Sequence, residues 1–81
     1  LTVRYFAGAR AASGVPEEKV ELPEPATLGD VVAIVERTHG DQLARVLTAC
    51  SFLLDGVAVR DPQTRVPDDA ELDVLPPFAG G

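Results

Sequence analysis

Between Thr27 and Gly40 the chain reads TLGDVVAIVERTHG, and the architecture turns on whether this segment is a helix. Thr27, followed three residues later by Asp30, has the form of a helix N-cap with an acidic partner in the first turn. Leu28, Val31, Val32 and Val35 then recur at helical spacing and make one apolar stripe. Gly40 can take the left-handed conformation that closes many helices. A helix with one apolar stripe has to lie on something, and the flanking sequence supplies strands on both sides.

Upstream, Leu1 to Phe6 alternates. Leu1, Val3 and Tyr5 point one way and Thr2, Arg4 and Phe6 the other, which puts Phe6 on the face opposite the core. AGARAASG, bracketed by Gly8 and Gly14, forms a short helical turn, and a second strand follows around Glu18 to Leu22 with Val20 and Leu22 inward. PEPAT breaks that strand before the helix. Downstream, DQLARVLTAC repeats the helical spacing through Leu43, Val46, Leu47 and Cys50, so Cys50 is expected on a buried face. SFLLDGVAV reads as a hairpin turning at Asp55-Gly56, a pair suited to positive φ. Val57 and Val59 share one of its faces and Ala58 takes the other. RDPQTRVPDDAE is a surface loop, and a last strand, Leu72 to Leu75, turns Leu72 and Val74 inward and Leu75 outward. The order strand, strand, helix, short helix, strand, strand, strand predicts an α+β domain, a mixed sheet of about five strands with the main helix on one face.

Composition narrows the functional classes. With 81 residues there is room for one small domain, and a hydrophobic fraction of 46% with only 5% aromatic leaves the packing to Val, Leu and Ala. A net charge of -6 argues against a nucleic-acid partner, which needs Lys and Arg to neutralise phosphates. A lone cysteine permits no internal disulfide and agrees with a reducing compartment. No apolar run is as long as a membrane span and no signal peptide precedes the domain, so a cytoplasmic location is expected.

Side-chain catalysis has little support. One His and one Cys cannot make a zinc set, and His39 fits the last turn of the helix as a favourable partner for its dipole. No phosphate-cradling glycine motif is present. Asp68, Asp69 and Glu71 read as a solvated turn rather than a metal site.

The C-terminus is different. VLPPFAGG, residues 74 to 81, leaves the last strand without a linker. Pro76 and Pro77 stiffen the exit and lower the entropy lost when a partner grips the tail. From Pro76 to Gly81 the chain can reach about 20 Å, at about 3.3 Å per residue, far enough to enter another protein's active site. Gly80 and Gly81, lacking Cβ atoms, pass a narrow channel and let surrounding groups close on the terminal carboxylate. Adenylation would make that carboxyl displaceable by a sulfur nucleophile, giving a thiocarboxylate.

Taken together, VRYFAGAR, LLDGVAVRD and VLPPFAGG resemble the small subunit of molybdopterin synthase, the MoaD-like sulfur carriers of the MoaD/ThiS family, which have the ubiquitin-like β-grasp fold. The resemblance covers nearly the whole chain. The double proline is more particular to the molybdopterin type, and the hairpin carries Leu54-Asp55-Gly56 where Val-Asn-Gly is frequent. It implies a β-grasp domain over residues 1–75 and an extended tail over 76–81. An E1-like (MoeB-like) enzyme would use ATP to adenylate Gly81, and sulfur from a persulfide donor would convert it to a thiocarboxylate. The carrier itself would bind no cofactor and no metal. Pro76, Pro77, Phe78, Ala79 and Gly80 would insert into the large synthase subunit (MoaE-like), in a heterotetramer of two small and two large subunits. There sulfur would pass to cyclic pyranopterin monophosphate, two carriers for each dithiolene. Phe6 and Leu75, apolar on the outward face, would dock the body of the carrier. The alternatives are a sulfur carrier for thiamine or cysteine synthesis, and a ubiquitin-like modifier or interaction module.

Overall fold

The computed structural model describes residues 1–77. Its elements run β1 (Thr2–Tyr5), α1 (Ala7–Ser13), β2 (Glu17–Lys19), α2 (Leu28–His39), α3 (Asp41–Leu47), β3 (Ser51–Leu54), β4 (Val57–Val59) and β5 (Glu71–Leu75). The strands form one sheet in the order β2-β1-β5-β3-β4. β1 and β5 are parallel at its centre, in a register pairing Thr2 with Glu71 and Tyr5 with Val74, and the remaining neighbours are antiparallel.

Strand alternation sends Val3, Tyr5, Leu72 and Val74 to one face, where they meet Ala9 of α1, Val31 and Val35 of α2, and Leu43 and Leu47 of α3 in a single core. Burying each Val or Leu contributes about 1.5 to 3 kcal/mol before chain entropy is charged against it. Tyr5 is the one aromatic side chain among the buried residues described.

The Thr27 reading holds atom by atom. Thr27 Oγ1 accepts from the Asp30 N–H at 3.3 Å, and Asp30 Oδ2 accepts from the Thr27 N–H at 2.9 Å, a closed capping box. Gly40 ends α2 with φ +86° but ψ -165°, a positive-φ conformation open essentially only to glycine rather than the left-handed helical one expected, and the same residue also starts α3. At the hairpin tip Asp55 and Gly56 both have positive φ, as the turn requires.

Three further expectations need correction. The second strand is Glu17–Lys19 and not Glu18 to Leu22. Its position follows from β1, since the Tyr5 N–H reaches back to the Pro16 carbonyl at 2.8 Å while Pro23 and Pro25 bring no donors to prolong the ladder. The stretch read as a surface loop is a strap over the start of α2. Thr64 and Pro62 carbonyls accept from the Leu28 and Gly29 N–H groups at 2.8 and 2.9 Å, and Val66 and Ala70 are buried. Helix N-termini carry unpaired donors, and here the strap satisfies two of them. Cys50, expected buried, lies beyond the end of α3 and is only half-buried.

Candidate functional site

β5 is a central strand, and the chain leaves it through Pro76 and Pro77 with no intervening loop. Phe78, Ala79, Gly80 and Gly81 lie outside the described residues. What surrounds the root of the tail is well defined. Leu75 pairs with Ser51 of β3, and the Phe6 N–H donates to the Val74 carbonyl at 3.2 Å. Because β1 and β5 are parallel, Phe6 and Leu75 stand at the same end of the sheet, the end from which the tail departs.

Both belong to the face turned away from the helices. Phe6 is 38% exposed, one of two large apolar side chains so open among the described residues. Leu53 and Leu75 are half-buried and Ala58 is exposed on the same face. Arg4 and Asp73, register partners, bond through both guanidinium arms, Nε to Oδ1 at 2.7 Å and Nη2 to Oδ2 at 3.0 Å. The Arg4 guanidinium carbon lies 5.7 Å from the Phe6 ring centroid, within cation–π range, which ties that ring to the open face. The result is an apolar area around the tail root, crossed by one bidentate ion pair.

A second constellation sits on the helix side and escaped the sequence reading. The Tyr5 hydroxyl donates to Glu18 Oε2 at 2.6 Å, His39 Nε2 meets the same oxygen, and the Tyr5 and His39 rings pack edge to face at 5.8 Å. Burial, together with the Glu18 carboxylate, holds the Tyr5 phenol protonated well above its ordinary range. Register pairs Val3 with Glu18, so Glu18 shares the face of Val3 and Tyr5. An acid on an inward strand position was the available signal. The group joins β1, β2 and the end of α2, and it lies on the face opposite Phe6 and Leu75. His39 therefore has a partner as well as the helix dipole.

Cys50 donates its thiol to the Val46 carbonyl at 3.2 Å, and burial pushes its pKa up. A raised pKa makes a poor nucleophile at neutral pH. Among the described residues no group of His, Cys, Asp and Glu is arranged to hold a metal ion, and no helix is long and apolar enough to cross a membrane.

A mixed five-stranded sheet with a parallel central pair and helices on one face is the ubiquitin-like β-grasp architecture. The model of the ThiS family matches residues 3–81, and the chain belongs to that family of ubiquitin-like sulfur carriers. Among curated proteins no sequence match is found. Solved structures of the same fold include a Pyrococcus furiosus protein described as molybdopterin converting factor, subunit 1, at 25% identity and TM-score 0.80, with 95% of each chain covered. SAMP1 from Haloferax volcanii superposes with TM-score 0.84 at 24% identity, over 99% of this chain and 97% of that one. A third is in the complex of subunits 1 and 2 of the molybdopterin-converting factor from Helicobacter pylori, at 21% identity and TM-score 0.72, over 99% and 96% of the two chains.

Proposed function

We propose that this chain is the small, sulfur-carrying subunit of molybdopterin synthase. The observation that carries the reading is the tail: a double proline issuing directly from central strand β5 and ending in Gly80-Gly81. On this reading the chain catalyses nothing alone. An E1-like enzyme uses ATP to convert the Gly81 carboxylate to an acyl-adenylate with release of pyrophosphate. A persulfide sulfur then displaces AMP, and reduction of the remaining sulfur–sulfur bond by a thiol leaves the thiocarboxylate. The tail carries it into the large subunit, where sulfur passes to the cyclic pyranopterin monophosphate and the carboxylate returns. One dithiolene consumes two such carriers, which agrees with an assembly of two small and two large subunits. The cytoplasm, where ATP and reduced thiols are available, is the setting this chemistry needs.

The rigid, linker-free exit is the chain's own contribution. Restraining the backbone at Pro76 and Pro77 spares part of the entropy that threading would cost, and docking at Phe6 and Leu75 makes insertion effectively intramolecular. The likeness to SAMP1 favours a second reading, a ubiquitin-like modifier whose activated Gly81 is passed to a lysine amine.

Intact-mass measurement after incubation with an adenylating enzyme, ATP and a persulfide donor tests the activation step. Sulfur should replace one oxygen in the wild type and not in proteins lacking Gly81 or extended by one residue, with thermal stability unchanged. A tail-extended protein that still gains sulfur overturns it. Supplying the loaded carrier to the large subunit with the pterin precursor then separates the readings: dithiolene formation supports the synthase, and its absence alongside lysine conjugates supports the modifier.

A further inference from the structure

The open face presents a problem to any partner that covers it. Leu53 and Arg4 both pair in register with Asp73, so a surface closing over Phe6, Leu75 and Leu53 also closes over that carboxylate. Asp73 is already mostly withdrawn from water, with 15% of its side chain exposed against 40% for Arg4. Completing the burial of an unpaired carboxylate is strongly unfavourable, whereas a carboxylate held at both oxygens by a guanidinium is tolerated. Glu17 and Glu71 share the face, Glu17 opposite Arg4 and Lys19 opposite Thr2 in register, and Arg4 is the cation bonded to Asp73.

We propose that Arg4 is a positioning residue of the docking face: it neutralises Asp73 so that an apolar surface can cover the sheet, and it holds the Phe6 ring in place for that contact. This rests on the synthase reading above. The occupant is the large synthase subunit, because whatever takes in Gly81 must lie against the edge where the tail leaves, and Phe6 and Leu75 form that edge. Two of the five guanidinium N–H groups are spent on Asp73. The subunit that covers the face accordingly brings an apolar patch together with a hydrogen-bond acceptor for the outward donors of Arg4.

The test is a double-mutant cycle read as Kd for the large subunit, with thermal melting of each free carrier alongside. Arg4→Met should weaken binding by about tenfold or more at little change in melting temperature, since it strands Asp73 under the partner. Arg4→Met with Asp73→Leu, which replaces the ion pair by an apolar pair, should recover binding to within about threefold of wild type. Arg4→Lys, keeping charge but losing the fork and the ring contact, should fall between. Should Arg4→Met fail to fold, Arg4→Gln takes its place and should weaken binding in the same way, because it too leaves the Asp73 charge without a cation under the partner. Equal weakness of the single and double variants, or no effect of Arg4→Met or of its Arg4→Gln substitute, overturns the inference while leaving the function standing. A wild-type carrier that does not bind the large subunit overturns the function, and this inference with it.

Discussion

Tyr5 carries more of the molecule's chemistry than its place in an aliphatic core suggests. Its ring fills the space between the sheet and His39, and its hydroxyl satisfies an inward-facing Glu18. The folded state holds the phenol proton above the ordinary value of 10.0, so above that pH the unfolded chain binds fewer protons than the native one. Stability is then fully present below pH 10 and falls as pH rises, approaching about 1.4 kcal/mol per pH unit for one proton. Alkaline urea titrations should show that slope, and Tyr5→Phe should flatten it. Cys50→Ser belongs at this scale too. A fully buried thiol would lose about 1 to 2 kcal/mol on this exchange, but a half-buried serine keeps a donor for the Val46 carbonyl, so we expect a loss below about 1 kcal/mol by chemical denaturation. Sulfur loading should survive; a stable Cys50→Ser protein that no longer loads would place the thiol in the transfer chemistry. Phe6 and Leu75 were legible from alternation alone. Glu18 and His39 were not, because 21 residues separate them and only the completed sheet and helix bring them together.

Among the elements, α2 was the easiest to read, since its cap, stripe and terminator are local signals lying within a few residues of one another. Asp30→Ala opens the capping box and should cost about 1 kcal/mol in the denaturation midpoint, with no effect on sulfur loading. The strap over the start of α2 was misread for the opposite reason. Its role depends on carbonyls, which every residue has, and on two small apolar residues, Val66 and Ala70, isolated among polar neighbours. Gly29 records the contact from the other side: a Cβ there would meet the Pro62 carbonyl oxygen at 3.3 Å. The Glu17–Lys19 strand was misplaced because three residues carry too little alternation to define their own ends.

For the molecule as a whole, the order of elements was enough to define one mixed sheet with helices on one side, while that order alone does not supply the pairing of first strand with last. That pairing brings Phe6 beside the tail root. Phe6→Asp and Leu75→Asp should each weaken binding to both the adenylating enzyme and the large subunit by more than about threefold, at nearly unchanged melting temperature. The two partners should also compete in a binding assay. Unfolding of either variant, or unchanged affinity for both partners, would move the docking surface elsewhere. The position of β5 has a mechanical consequence as well. A pull on the tail is directed along a strand flanked by β1 on one side and β3 on the other, so it loads both hydrogen-bond ladders in shear. Many bonds must then yield together, whereas a tail on an edge hairpin would let them peel apart one by one. A partner can therefore draw the terminus taut, and release it again, without unravelling the carrier behind it.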